Sequence, residues 1–186
     1  MSFSNFEPNN VGFINPDSIA GGFGISQGMS IADFGSGTGF FTVLMAQQTG
    51  GTGKVYAIDV QEAPLESVKS KAKAAGVENI EAVRADLEVP RGSKLEDGTQ
   101  DMVLMANILF QSPDKLLIIK EAARVVKSGG KVITICWKKN TPGFGPPDSM
   151  RSSEEDIKKM ATEAGLAFVS NIDAGNFHYG LTFKKP

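Results

Sequence analysis

An acidic residue followed by alternating glycines is the segment best suited to chemistry. Asp33 comes just before Gly35, Gly37 and Gly39 in the run Ala-Asp-Phe-Gly-Ser-Gly-Thr-Gly at residues 32–39. Glycine is needed where a backbone turns tightly or approaches a ligand with no Cβ in between. A helix that begins after such a turn offers free amides to an anion, whereas the Asp33 carboxylate suits a cation. The segment therefore predicts a site for a small molecule that carries charge of both signs.

Two more acids follow predicted strands. Asp59 lies 20 residues after Gly39, where an acid in nucleoside-binding α/β folds accepts the ribose hydroxyls. Asp86 can accept the exocyclic amine of adenine while Leu87 and Val60 sandwich the ring. The structural alternatives are a capping Asp59 at the start of the next helix and an Asp86 exposed in a loop. Because ligands of parallel sheets bind at the carboxyl ends of the strands, the acids together predict a nucleoside site.

A dinucleotide-binding oxidoreductase is the main competing class. The dehydrogenase fingerprint G-x-G-x-x-G is matched by Gly35 and Gly37, but its third glycine falls on Phe40. An acid directly before the turn would also repel a pyrophosphate. An NAD(P)-dependent enzyme would share Gly35, Gly37 and Asp59, yet it leaves Asp33 and the end of the chain unexplained.

Strand-like and helix-like segments alternate, which predicts an α/β fold with a parallel sheet between helices. Strands are expected at residues 29–34, 54–59, 80–84, 101–106, 131–137, 166–172 and 177–183. Helices are expected at residues 40–48, 63–75, 115–126 and 153–164. The loop between the last two strands is too short for a parallel crossover, so the last strand must run antiparallel to its neighbour.

The predicted organisation is a single domain at residues 29–186 preceded by a segment, 1–28, that serves as a helical lid. A short helix is expected to open at Asn15-Pro16, because Asn can cap and Pro suits the first helical position. The loop from residue 141 to 150 is the other expected lid.

Composition limits the classes of partner. The net charge of −2 in 186 residues gives no nucleic-acid signature, and the single Cys136 and single histidine predict no metal site. Residues 1–8 do not resemble a secretory signal, and the longest apolar run, residues 102–110, is about half of a membrane span. The sequence therefore predicts a cytoplasmic protein without a membrane span.

The chain resembles the class I (seven-stranded, Rossmann-like) S-adenosylmethionine-dependent methyltransferases over nearly its whole length. Within that class it is most similar to the small ubiquinone- and menaquinone-type enzymes. The last of the matching runs resembles the family turn R-x-L-K-P-G-G, with Val in place of Leu and Ser in place of Pro. The runs that carry the resemblance are residues 33–39, 55–59, 101–107 and 124–130.

The resemblance implies a doubly wound, three-layer α/β/α sandwich with strand order 3-2-1-4-5-7-6 and an antiparallel last strand. It implies S-adenosylmethionine as cofactor, with Asp59 on the ribose, Asp86 at the adenine and Asn107 near the amino-acid end. The full set of expected cofactor residues is Asp33, Gly35, Ser36, Gly37, Gly39, Asp59, Val60, Asp86, Leu87 and Asn107.

The methyl acceptor is less well indicated. Gln111, expected in the acceptor pocket, stands where relatives often have His. Trp137 is expected either to line the acceptor pocket or to pack beneath the Pro-rich loop. His178 is a candidate proton acceptor, against the alternative of a partly exposed histidine on an edge strand. The resemblance favours a small-molecule acceptor. A lysine-type protein methyltransferase and a non-catalytic cofactor-binding subunit remain alternatives, and the oligomeric state is not predicted.

Overall fold

Strands and helices alternate along residues 16–186, the part of the chain that the computed structural model describes. The strands are β1 Ser30–Phe34, β2 Lys54–Asp59, β3 Ile80–Arg84, β4 Gln100–Ala106, β5 Val126–Trp137, β6 Ala167–Asp173 and β7 His178–Lys184. The helices are α1 Pro16–Ala20, α2 Phe40–Thr49, α3 Glu62–Ala74, α4 Lys115–Val125 and α5 Glu154–Glu163. The predicted strands and helices are all present, most within one residue of the expected ends.

The seven strands form one sheet with the order β3-β2-β1-β4-β5-β7-β6. β7 runs antiparallel to both of its neighbours, and every other neighbouring pair is parallel. The predicted order and the predicted antiparallel strand are therefore confirmed. The carboxyl ends of β1, β2, β3 and β4 meet at one edge, which β7 reaches with its first residue.

Alternation along each strand divides the core into two layers. In β1, Ile31 faces α1 and α2, whereas Ala32 and Phe34 face α4 and α5. α3 completes the first layer by covering Ala57 of β2. Asp33 is two residues from Ile31 and lies on the same face of β1, so its carboxylate points toward α2. A strand with both faces covered in this way places even its polar side chains in the interior.

β5 differs most from the prediction. α4 ends at Val125 and the strand starts at Val126, five residues earlier than expected, so Gly129 and Gly130 lie within the strand. Gly129 donates its amide to the Lys185 carbonyl at 2.7 Å, and Gly130 accepts from the Lys185 amide at 3.1 Å. Pairing with the last residues of the chain thus extends β5 into the turn. A Cβ at Gly130 would lie 2.9 Å from the Asp101 carbonyl oxygen, so only glycine fits there.

The expected lid at residues 1–28 lies partly outside the described residues, including the predicted helix start at Asn15. Its described part contributes Ile19, Ala20 and Phe23 to the core, and the Phe23 ring stacks on Phe41 with centroids 5.9 Å apart. The boundary at residue 28 stays a prediction. None of the helices between Pro16 and Pro186 combines the length and the apolar character that a membrane span requires.

Candidate functional site

The glycine turn between β1 and α2 adopts a backbone that other residues rarely take. Gly35, Gly37 and Gly39 have φ values of +72°, +52° and +84°. A Cβ at Gly35 would lie 2.6 Å from Cδ1 of Ile108, whereas a Cβ at Gly37 would meet nothing within 4 Å among the described residues. Gly35 therefore permits close packing of the chain on itself, and Gly37 leaves an open face toward a cavity.

Asp33 is buried beneath this turn, with 2% of its surface exposed. Its Oδ2 accepts a hydrogen bond of 2.5 Å from the Thr42 hydroxyl of α2. Burial raises the pKa of Asp33 to about 7, an effect that the Thr42 hydrogen bond opposes and the nearby charge of Asp59 reinforces. A carboxyl group with this pKa gains a proton or a cation near neutral pH.

Asp59 ties the glycine turn to the end of β2. Its Oδ2 accepts the Gly37 amide at 3.0 Å, and its Oδ1 accepts the Gln61 amide at 2.9 Å. The contact with Gln61 closes a short turn ahead of α3. Asp59 therefore supports the start of this helix, as the capping alternative expected, but the N-cap residue itself is Gln61. Each carboxylate oxygen keeps a further acceptor position for a ligand hydroxyl.

A first cavity of about 250 Å³ lies at the ends of β1, β2 and β3. It contains six of the residues expected to bind a nucleoside: Gly35, Gly37, Asp59, Val60, Asp86 and Leu87. Gln111, which was expected in the acceptor pocket, also lines this cavity. Sequence reasoning missed the remaining lining residues, of which Ile108, Ser112 and Ile118 come from the β4–α4 region. Val60 is exposed and Leu87 is buried, which matches two apolar sides of a flat slot.

Asp86 begins a tight loop that a buried ion pair holds in place. Glu121 of α4 accepts the amide and hydroxyl of Ser93 at 2.9 and 2.5 Å and pairs with Arg124 at 2.7 Å. Arg124 also donates to the Leu95 carbonyl at 2.8 Å. The first residue of the family-like run at 124–130 therefore has a structural role, because it fixes the loop that carries Asp86 after β3.

A second cavity of about 350 Å³ adjoins the first, and the two share Gly35, Gly37 and Gln111. Its other lining residues are Pro16, Asp33, Ser36, Thr38, Phe40, Phe41, Ala106 and Asn107. Ser36 Oγ and Asn107 Oδ1 are buried polar atoms without a hydrogen-bond partner in the described chain. Unsatisfied buried polar atoms beside a cavity indicate a ligand or water at that place. Of the predicted cofactor residues, Gly39 alone lines neither cavity.

The exposed ring of Phe40 and the ammonium group of Lys71 lie at the mouth of the second cavity. Phe40 is 64% exposed, and the Lys71 ammonium lies 3.5 Å from its ring centroid. The same ammonium is 3.1 Å from the Thr38 hydroxyl. A large exposed aromatic ring beside a cavity provides a flat apolar contact for an incoming molecule.

His178 lies behind Asn107 rather than in either cavity. It is only 2% exposed, and β7 is an interior strand, so the expectation of a partly exposed edge histidine is wrong. Its Nε2 is 3.3 Å from Asn107 Nδ2, and its ring centroid is 3.9 Å from that of Trp137. Burial, with the charges of Arg151 and Lys138, lowers the pKa of His178 to about 4.

Trp137 packs beneath the Pro-rich loop and lines neither cavity. A Cβ at Gly145 would lie 2.6 Å from the Trp137 ring, so the loop backbone rests on the indole. Arg151, which is 7% exposed, clamps this loop by donating to the carbonyls of Pro146, Lys138, Thr141 and Phe144. The loop predicted as a lid is thereby anchored at several points, and an acceptor-binding role for Trp137 stays a prediction.

Similarity to known proteins agrees with this geometry. Residues 25–183 match the family described as "Methyltransferase domain". The chain belongs to this family. The sheet order is also that of the Rossmann-like methyltransferases, so the predicted membership of this structural class is confirmed.

Individual relatives extend over different shares of the chain. The demethylmenaquinone methyltransferase of Staphylococcus aureus (strain MRSA252) is 37% identical over 113 residues, which are 60% of this chain and 44% of that protein. The demethylmenaquinone methyltransferase of Lactococcus lactis is 37% identical over 109 residues, 58% of this chain and 42% of that protein. This chain thus spans less than half the length of these relatives. A solved SAM-dependent methyltransferase from Aquifex aeolicus is 28% identical with a TM-score of 0.83, covering 94% of this chain and 91% of that one.

Proposed function

We propose that this protein transfers the methyl group of S-adenosylmethionine to a small aromatic acceptor. The observation that carries the proposal is the charge of the two cavities. Asp59, Asp86 and Glu88 line the first and Asp33 lines the second, whereas the Lys71 ammonium lies at the mouth of the second cavity, against Phe40 and Thr38. The three carboxylates of the first cavity disfavour the pyrophosphate of a dinucleotide, and Asp33 can ionise beside a ligand that carries sulfonium and ammonium charges.

The residues present fit such a cofactor. Gly37 leaves space where a side chain would stand, Asp59 has acceptor positions for the ribose hydroxyls, and Asp86 borders the same slot. In the second cavity, Asp33 and Asn107 Oδ1 offer acceptors to the ammonium group. S-Adenosylmethionine supplies an electrophilic methyl group when bound, so the task of these residues is to bind and orient the reactants.

The acceptor is proposed to be flat and small because of what lines the second cavity. Phe40, Phe41 and Pro16 supply apolar surface, and the amides of Asn107 and Gln111 supply hydrogen bonds. The names of the demethylmenaquinone methyltransferases support an aromatic acceptor of this kind. Asp33 is the only acid or base among the described lining residues of this cavity, so an acceptor that is already nucleophilic suits the site best.

Calorimetric titration with S-adenosylmethionine tests the cofactor part of the proposal. We expect micromolar-range binding, about −8 kcal/mol, that Asp59→Asn weakens at least tenfold because the amide loses the charge. Asp173→Asn is the matched control, since Asp173 closes a similar turn by accepting the Gly175 amide at 3.0 Å and lines neither cavity. Binding of NAD but not of S-adenosylmethionine would overturn the proposal.

Turnover with different acceptors tests the rest. With labelled S-adenosylmethionine, we expect label in a reduced naphthoquinone or simple phenol, and Phe40→Ala should raise the KM for that acceptor about tenfold through loss of ring contact. Label in a lysine-containing peptide alone would identify a protein acceptor instead. Tight cofactor binding without turnover on any acceptor would favour a non-catalytic subunit.

A further inference from the structure

Asn107 is anchored by its backbone at the carboxyl end of β4. Its amide donates to the Ile135 carbonyl of β5 at 2.9 Å, and its φ is +55°, a left-handed conformation that Asn tolerates better than most residues. The side chain therefore starts from a fixed point beside the second cavity. What remains to be fixed is the direction of its amide group, whose two ends are a hydrogen-bond acceptor and a donor.

His178 contacts one end of that amide. Asn107 Nδ2 lies 3.3 Å from His178 Nε2. With the amide in this orientation the NH2 group donates, which requires an unprotonated Nε2 and places the ring proton on Nδ1, a buried atom with no partner in the described chain. The ring itself is held between strands, because His178 pairs with Trp137 in register and packs against the indole. Burial lowers the pKa of His178 to about 4, so the ring is neutral and can accept at neutral pH.

We propose that His178 is a positioning residue that turns the Asn107 amide so that its carbonyl oxygen is the end left for a bound molecule. Asn107 Oδ1 has no partner within the described chain, while Nδ2 is engaged by the ring. If the amide were reversed, an NH2 group would be presented beside a cavity that otherwise offers the Asp33 carboxylate. An acceptor there suits the ammonium end of the cofactor, so this inference rests on the proposed function.

The tautomer of His178 tests the arrangement without any cofactor. His178 is the only histidine in the chain, so its ring nitrogens give a single set of NMR signals in an untagged protein. We expect the proton on Nδ1 and an unprotonated, hydrogen-bonded Nε2, with the Nε2 resonance shifting in Asn107→Ala. A proton on Nε2 in the wild-type protein would overturn the inference, whether or not the protein binds S-adenosylmethionine.

A double-mutant cycle tests the consequence for binding. We expect His178→Leu to weaken S-adenosylmethionine about tenfold in the wild-type background and less than about twofold in an Asn107→Ala background. His178→Gln, which can place an acceptor oxygen near the former Nε2, should restore affinity to within about threefold of wild type. Equal losses in both backgrounds would show a packing role and overturn the inference. Absence of binding to the wild-type protein would instead overturn the proposed function, and the tautomer would still decide the inference.

Discussion

At the scale of single residues, burial decides the chemistry of Asp33. Asp33 lies on the face of β1 that α2 covers, and its carboxylate accepts a hydrogen bond from the Thr42 hydroxyl of that helix. Removal from water disfavours the ionised form, which explains a pKa near 7 for a side chain that normally ionises at 3.8. A bound cation would offset that cost, so the proposed function predicts that cofactor binding depends on the protonation of Asp33.

Asp33→Asn is expected to change how stability depends on pH. The folded-state pKa is raised, so the stabilisation from protonated Asp33 is full below about pH 4 and is lost as the pH rises through 7. The variant lacks this loss and should gain stability relative to wild type between pH 4 and 8, by up to roughly 4 kcal/mol for a three-unit shift. Urea unfolding of both proteins at several pH values measures the difference.

His178 also changes the free energy of unfolding with pH, and its contribution is separated from that of Asp33 by comparing the two proteins. Its pKa is lowered to about 4, so its effect has the opposite sign: stability falls as the pH drops from about 6.5 to 4. Because wild type and Asp33→Asn both contain His178, this effect cancels in their difference. A stability difference that stays constant between pH 4 and 8 would show that Asp33 is not buried as described.

At the scale of elements, the loop after β3 carries Asp86 and Leu87 and depends on one glycine. A Cβ at Gly92 would lie 1.8 Å from the Asp86 carbonyl oxygen and 2.8 Å from that of Val89. No side chain can be accommodated there unless the backbone moves. The ion pair of Glu121 and Arg124 holds the other side of the same loop, so the positions of Asp86 and Leu87 are set by contacts distant in sequence.

Gly92→Ala should therefore weaken both the fold and the cofactor site. We expect a loss of about 1–3 kcal/mol in the free energy of unfolding and weaker S-adenosylmethionine binding, because the displaced loop carries Asp86. Gly51→Ala is the control, since a Cβ at Gly51 meets nothing within 4 Å among the described residues. Equal small effects of the two substitutions in denaturation and calorimetry would contradict the structural role of Gly92.

At the scale of the whole molecule, the site exists because strands distant in sequence end at the same edge. β1, β2 and β3 bring the glycine turn, Asp59 and Asp86 together, and β4 adds Asn107. β7 enters the sheet from the opposite direction, so its first residue, His178, starts where β5 ends. A parallel last strand would have ended at this edge instead.

The sequence by itself determined the features that depend on local chemistry. Alternating hydrophobicity and glycine-rich turns predicted the strands and helices, and the helix expected from residue 153 starts with Ser153 at its N-cap. The short final loop required an antiparallel last strand. The glycine turn and the acids at strand ends predicted a nucleoside site before any distance was known.

Only the tertiary structure decided what depends on packing between distant segments. The sequence does not report that Ile108 fills the space beside Gly35 or that the ion pair of Arg124 fixes the Asp86 loop, and it left two positions open for Trp137. His178 is the clearest case, because its burial and its contact with Asn107 arise from strand order rather than from its neighbours in sequence. Hydrophobic periodicity specifies which face of an element is covered, whereas the side chains that meet there are set by long-range packing.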